Sequence, residues 1–408
     1  MTRQHVLALV QAGGSGSRMD VLTRERAKPV LPFAGVYRLV DIPLSNLANS
    51  GISDVWLSVQ YQGADLGEQV ANGRPWDLDR NRGGLRLLMP EEGTGGTDED
   101  GFAHGNADVL YRIRDQVVAD DPEVLVVCSA DHVYRFDMMA AVATHRRAGA
   151  DCTIVTATVP LEEAGDHATV ETDDDGRVTS FDYKPARPTT GTVAAEIFVY
   201  DVATLVATLE ELHRELGADA EAGDTGLGDF GEHLVPRLME RGTVVAHPID
   251  GYWKDLGQPH KYLAAHHDVL TSDLGVFGDP DWPVLGHQPQ RHAARVAEGA
   301  RLADSLVSPG ALVQGTVIRS VLGPGVVVGP GALVRDSVVF EDTVVEEGAR
   351  LDWAIVDRDC VIGAGAEVGS PDTDPDDSDE IVLVGRGSRI APGTVLDRGA
   401  RLEPGTTA

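Results

Sequence analysis

VLALVQAGGSGSRMDVLTRERAKP, residues 6–29, decides how the first part of this chain folds. Its apolar run, Val6–Val10, reads as a buried parallel strand. Gly13, Gly14 and Gly16 follow almost at once; they let the backbone turn sharply and bring its N–H groups close to an anion. Arg18 and Lys28 then add full positive charge beside the loop. A glycine loop next to a fixed Arg and Lys suits a polyphosphate. The stretch is neither a GxGxxG dinucleotide fingerprint nor a P-loop ending in GK[ST], so the glycines alone are weak evidence.

Working outward, the rest of the chain is strongly acidic, with a formal net charge of −31. General attraction to nucleic acid or an anionic membrane is therefore not expected, and any phosphate must be held by local groups. Lysine is scarce: Lys28, Lys184, Lys254 and Lys261 are the whole set, and three of them lie in motifs considered below. The 408 residues favour two domains over one core. The N-terminus lacks a signal pattern, and no apolar run approaches a membrane span. Cys128, Cys152 and Cys360 are scattered without CxxC spacing, which predicts buried reduced thiols and a cytoplasmic protein. His266 and His267 are adjacent on an expected helix and point apart, so they do not form a metal set.

The first two thirds alternate apolar strands with helical patterns. Strands are expected at Val6–Val10, Val55–Gln60, Val124–Ser129, Cys152–Val159, Arg177–Tyr183 and Ala195–Tyr200. Helices are expected near Leu44–Ser50, Ala107–Val118, Met138–Arg147, Val202–Leu216 and Gln258–Leu270. This alternation predicts a Rossmann-like, mostly parallel α/β sheet with ligands beyond the carboxyl ends of the strands. Gly93–Gly101 reads as a surface loop. Past Asp279 the texture changes. Pro280–Gln290 is a Pro- and Gly-rich connector, and then VAEGAR, LADSLV, SPGALV, QGTVIR and their successors repeat at about six residues. Aliphatic residues on that short period, with Gly, Pro, Asp and Ser at the corners, predict a left-handed parallel β-helix of hexapeptide turns. A Gly-rich β-sandwich is the competing reading. The acidic stretch Pro371–Glu380 interrupts the repeat, which resumes at Ile381–Leu402. The expected division is 1–279, a linker 280–292, and 293–408.

Two acidic residues stand out in the first part. Asp131 follows the strand Val124–Ser129 within SADHVYRFD, and Asp255 lies in GYWKDLG. Carboxylates at such a strand end suit a hard divalent cation. The plainer alternative is that Asp131 caps a helix and Asp255 pairs with Lys254.

The Arg two residues past the last glycine, the Lys–Pro ten residues further on, and YRLVDIPLSNLANSGI (Tyr37–Ile52) carry a resemblance. Together they resemble the nucleotidyltransferases that join sugar 1-phosphates to nucleoside triphosphates, and most of all the ADP-glucose pyrophosphorylase (glucose-1-phosphate adenylyltransferase) family. The resemblance spans nearly the whole chain, β-helix included. It implies displacement by a sugar 1-phosphate at the α-phosphorus of ATP, with pyrophosphate leaving. It further implies Mg²⁺ on Asp131 and Asp255, with Arg18 and Lys28 on the leaving phosphates. Ala12, Gly13, Gly14, Gly16, Gln60, Gly105 and Asn106 would line the nucleotide. Lys184, in FDYKP, would hold the sugar phosphate. A homotetramer assembled through the β-helix is implied as well.

The match is uneven on the sugar side. Tyr183 stands where the family has Glu, His167 and Ala168 replace Phe–Gly, and Ala194, Ala195 and Glu196 replace Ser–Met–Gly. Asn106 replaces a Thr and Ala130 a Gly. The expectation is an intact nucleotide half and a rebuilt sugar half, with Glu196 taking over hydroxyl binding from Tyr183 if their strands are neighbours. Arg26, Arg38 and Arg350 match part of the family's effector set, while Glu25, Asp352 and Trp353 depart from it; a weak or altered response to sugar-phosphate activators follows. One competing reading is a regulatory subunit that binds nucleotide without turnover. An acyltransferase role for the β-helix is disfavoured, because no histidine follows His292.

Overall fold

The structure is a computed structural model that describes residues 5–13, 16–60, 63–89, 103–217 and 224–408. Gly14 and the segment Gly93–Gly101 lie outside the described residues. The N-terminal part is built on a nine-stranded sheet. At its centre Val6–Ala12 runs parallel to Asp54–Val59 on one side and to Val124–Ser129 on the other, and Gly84–Leu88 extends the parallel set. Leu7, Ala8, Leu9 and Val10 are fully buried, because helices cover both faces. A continuous apolar run rather than an alternating one is what such a strand requires.

Beyond Val124–Ser129 the sheet changes character. The long strand Thr192–Asp201 runs antiparallel to it and also pairs antiparallel with Cys152–Thr158 and Ala168–Thr172; Val178–Tyr183 closes that edge. The strands and helices expected from sequence are all present within a few residues. Met138–Ala148 and Val202–Leu216 begin on Asp137 and Asp201, whose side chains accept N–H groups of the first turn. Gly84–Leu88, Ala168–Thr172 and Val244–Pro248 were not expected as strands, nor Gly63–Val70 and Val235–Arg241 as helices. The strands are short and mostly lie toward the margins of the sheet, where one face is exposed and the apolar signal is thin.

Two further strands matter for the site. His132–Tyr134 pairs antiparallel with Trp253–Asp255, in a register that sets His132 opposite Asp255. From Arg295 to Leu402 the chain forms three parallel six-stranded sheets, each coil contributing one short strand to every sheet. Val313, Val328, Val345 and Ile362 stack at successive levels, all fully buried or nearly so. This is the left-handed β-helix of the hexapeptide pattern, with Pro371–Glu380 as an excursion from its fifth coil. One face of it closes on the N-terminal part. Val321, Val338, Phe340, Ile355, Ile381 and Leu383 share a core with Met19, Leu22, Leu31, Phe33, Tyr262 and Leu263. Each such side chain contributes about 1.5–3 kcal/mol of burial, so the two parts are one packed body. Arg26 and Asp357, both buried, form an ion pair across this seam, as do Arg38 and Glu341.

Candidate active site

A cavity of about 490 Å³ opens over the carboxyl ends of Val6–Ala12 and Val124–Ser129. The glycine loop, Arg18, Lys28 and Gln60 line one side; Ala168, Tyr183, Lys184 and Glu196 line the other; Asp131 and Asp255 lie between. Residues scattered from position 11 to position 257 therefore meet in one space. It forms where the central strands end and the short ladder begins, since Asp131 occupies the step from Ser129 into His132–Tyr134 and that ladder carries Asp255 beside it.

Lys28 is buried and donates to Oδ2 of Asp131 at 2.5 Å, with Asp255 Oδ1 at 3.9 Å. The Ser129 hydroxyl donates to the other oxygen of Asp131. Burial would raise the Asp131 carboxyl, but Lys28, His132 and these hydrogen bonds outweigh it and hold the group well below the ordinary range. It is an anion at any physiological pH. The plainer alternatives fall away: Asp137, not Asp131, caps the following helix, and Lys254 pairs with Asp268 at 3.1 Å rather than with Asp255.

His132 sits among these acids. Burial lowers its pKa, but Asp131, Glu196 and Asp255 together raise it above the usual value. His167 is in the opposite situation: burial pushes it down to about 4, so it is a neutral imidazole in the wall of the cavity. Lys261, buried, is tied to Asp166 at 2.5 Å. Arg18 and Lys184 differ from these paired cations. Both are exposed in the cavity lining, and neither makes an ion pair among the described residues. The Lys184 Nζ lies 4.8 Å from the centre of the Tyr183 ring.

The wall that carries the glycine loop is knitted together by Asn106. The Gln11 side chain donates to Asn106 O at 2.9 Å, and Asn106 Oδ1 accepts the Phe230 N–H at 2.6 Å. Gly105 has φ +102, and a Cβ there would fall on the Gly228 carbonyl, so no other residue fits this approach.

The opposite wall differs from the sequence expectation. The Tyr183 hydroxyl donates to Asp229 Oδ2 at 2.7 Å, and its ring packs so closely on Gly231 that a Cβ on that glycine would overlap it. Tyr183 and Glu196 are not on neighbouring strands, because Ala168–Thr172 runs between Val178–Tyr183 and Thr192–Asp201. The condition for Glu196 to replace a Tyr183 contact is therefore not met. Asp229, His132, Asp166 and Lys261 were missed from sequence. His132 could have been suspected from its place next to Asp131; the others carry no local signal.

A second cavity, about 460 Å³, lies at the seam with the β-helix and is lined by Arg26, Arg38, Arg291 and Arg358. Arg350 is exposed on another β-helix sheet and does not line it.

These features define a class. Residues 7–272 match the nucleotidyl transferase family, and the chain belongs to it; it is an enzyme, a nucleotidyltransferase. Residues 290–382 match the GlmU-like, C-terminal hexapeptide family. Among named relatives, the chain is 36% identical over 377 residues to the glucose-1-phosphate adenylyltransferase of Clostridium botulinum (strain Alaska E43 / Type E3), covering 90% of this chain and 95% of the relative. It is 32% identical over 393 residues to the enzyme of the same name from Halalkalibacterium halodurans, covering 96% and 98%. The Thermotoga neapolitana glucose-1-phosphate adenylyltransferase is 37% identical over 325 residues, covering 79% and 74%. Nucleotidyltransferases typically use a divalent metal, and the donor set here fits one: Asp131 and Asp255 offer hard carboxylate oxygens around a shared space, with excess negative charge. No helix among the described residues is long and apolar enough to cross a membrane. The three cysteines are buried and free, and burial pushes the thiols of Cys128 and Cys360 up to about 12.

Proposed function

We propose that the protein transfers the adenylyl group of ATP to a sugar 1-phosphate, releasing pyrophosphate, with Mg²⁺ as the divalent cation. The observation that carries this is the meeting, in one cavity, of the Asp131 and Asp255 carboxylates with Arg18, Lys28 and Lys184, of which Arg18 and Lys184 make no ion pair among the described residues. Both reactants are polyanions, and this is the charge pattern that receives two of them. Glucose 1-phosphate is the first acceptor to test, since the named relatives are glucose-1-phosphate adenylyltransferases.

An oxygen of the sugar phosphate forms the new bond to the α-phosphorus while the bond from that phosphorus to the bridging oxygen of the β-phosphate breaks. Pyrophosphate carries that electron pair away. The chain's task is to hold the two anions in line and neutralise them. Asp131 and Asp255 would hold the cation, which when bound polarises the phosphoryl oxygens. Lys28 orients Asp131 and stands next to the departing β- and γ-phosphates; Arg18, without an ion pair among the described residues, receives them. Gly13, Gly16, Gln60, Gly105 and Asn106 face the nucleotide, while Ala12 is buried behind them and does not line the cavity. Across the cavity, Lys184 holds the sugar phosphate, and Ala168 and the Tyr183–Asp229 pair bound the sugar.

Pyrophosphate release is measured with ATP and a panel of sugar 1-phosphates. Turnover with at least one acceptor is expected, and no release with any nucleoside triphosphate would overturn the proposal. Glucose 1-phosphate far ahead of every other acceptor would show that the sugar half, though rebuilt, keeps the specificity named for its relatives. Residues 1–279 carry this chemistry, and the β-helix is read as the surface of a homotetramer, to be checked by mass in solution.

A further inference from the structure

Glu196 occupies a position that the backbone makes strained. It has φ +54, in the left-handed region, inside the strand Thr192–Asp201. The pairing with Cys152–Thr158 slips at this point: Ala194 faces Thr156, and Ile197 already faces Val155. Ala195 and Glu196 therefore form a bulge, a device that re-aims a side chain. Ala195 and Ile197 remain fully buried, while Glu196 is turned into the cavity. A strained non-glycine residue at a site points to a use for its side chain.

The target of that side chain is the carboxylate pair. His132, 3% exposed, has Nδ1 at 3.3 Å from the Ala195 carbonyl. Its Nε2 lies 3.5 Å from Asp131, 3.6 Å from Asp255 and 3.8 Å from Glu196, all beyond hydrogen-bond length. Ligand atoms of Asp131, His132 and Glu196 fall within 4.8 Å of one another. Three carboxylates thus converge on one buried imidazole edge, with Lys28 as the nearest full cation. Glu196 makes no hydrogen bond among the described residues. Such a group of anions attracts divalent positive charge, and its oxygen atoms are the ligands a hard cation takes.

We infer that Glu196 is a third carboxylate ligand of the cation site formed by Asp131 and Asp255, so that this chain binds its divalent cation before the nucleotide arrives. The inference rests on the reading of Asp131 and Asp255 as metal-holding residues. A site with two protein carboxylates leaves most of the coordination sphere to phosphate oxygens, and its affinity waits for them. A third carboxylate adds both a ligand and a charge, and moves part of that affinity into the protein.

The test titrates Mn²⁺ alone into the full chain without nucleotide, following free Mn²⁺ by its electron paramagnetic resonance signal. One site is expected. Glu196→Gln should weaken it by about tenfold or more, the scale at which perturbing a metal's surroundings is felt. Glu196→Gly should weaken it equally. Glycine accepts the positive φ, so this variant should melt no lower than the parent, which assigns the loss to the carboxylate and not to the fold. Unchanged Mn²⁺ binding in both variants would overturn the inference, as would absence of Mn²⁺ binding by the parent chain without nucleotide. If both variants bind as the parent does but the KM for the sugar phosphate rises, Glu196 contacts a sugar hydroxyl instead. Asp131→Asn separates the two levels: if it also leaves Mn²⁺ binding intact, the reading of the carboxylate pair fails, and not only the part assigned to Glu196.

Discussion

The cavity has two walls that belong to two kinds of sheet. The wall proposed to face the nucleotide rises from the parallel strands Val6–Ala12, Asp54–Val59 and Val124–Ser129; the wall proposed to face the sugar rises from antiparallel strands around Thr192–Asp201. On the parallel side, strand ends all point the same way, so a loop placed after any one of them reaches the site. The glycine loop, Gln60 and Asp131 get there by that rule. On the antiparallel side no such rule holds, and residues enter by bulges and cross-loop contacts, as Glu196 and the Tyr183–Asp229 pair do. The parallel wall carries the glycine loop, Lys28 and Asp131, and the antiparallel wall carries the departures at Tyr183, Ala168 and Glu196.

The largest effect should come from the carboxylate between the walls. Asp131→Asn should cut kcat by at least about a thousandfold, some 4 kcal/mol, as removal of a principal electrostatic group does. The isosteric amide still accepts from Lys28, so the melting temperature should stay close to the parent's. Residual turnover within tenfold of the parent would mean that the chemistry does not centre on this residue.

A smaller effect concerns the support of the parallel wall. Asp41, fully buried at the start of the helix Asp41–Asn49, has its carboxyl pushed up to about 7 by burial, against hydrogen bonds from Gln69 and the Arg38 N–H that lower it. A raised carboxyl favours the neutral form. Its contribution to stability is therefore full below pH ~4, the unfolded value, and lost as pH rises through about 7. Asp41→Asn has no such loss and should exceed the parent by up to about 4 kcal/mol at pH 8, with little difference near pH 4. Denaturant melts at both values check this. A gap that does not widen with pH would show that Asp41 is charged in the fold.

On the antiparallel wall, Gly231→Ala forces the Tyr183 ring away from Asp229. The KM for the sugar 1-phosphate should rise about tenfold, roughly 1.4 kcal/mol, while that for ATP moves less than threefold. Equal rises for both substrates would dissolve the distinction between the walls.

How much of this was legible in sequence follows the same division. Val6–Val10 and the six-residue repeat after Asp279 announce themselves because burial on both faces, or stacking of coils, demands an unbroken local pattern. The role of Asp131 could be suspected because a strand end is a local event too. The pairing of Lys28 with Asp131, the partnership of Tyr183 with Asp229 and the turn of Glu196 toward His132 depend on residues far apart in the chain. Nothing in the stretch TVAAEIFVYD signals that its Glu lies on a bulge. Tyr183 was legible as a departure but not as a wall element, since its partner loop, GLGDFGE, looks like any turn.

The smallest expected effect lies away from both walls, at the seam with the β-helix. An anionic effector entering the cavity there would need free cations. Arg26 is bonded to Asp357, Arg38 to Glu341, and Arg291 to Asp342 at 2.6 Å, while Arg358 lies near Asp359 at 3.9 Å. The chain's own carboxylates already stand where an effector phosphate would. Burial raises the Asp357 carboxyl even against Arg26, so this pair is held by the packing around it as well as by charge. A phosphate must displace a carboxylate to bind, exchanging one anion for another with little net gain, and what remains to shift the active site is correspondingly small. Sugar phosphates at saturating concentration should therefore change kcat/KM by less than tenfold, a coupling under about 1.4 kcal/mol. Arg38 is the informative probe, because its partner Glu341 is less deeply buried than Asp357. Glu341→Gln frees that arginine, and activation that grows in this variant would show that the carboxylate is what holds the response down. Strong activation of the parent chain would show instead that these pairs open in solution, and that the seam transmits what the two walls receive.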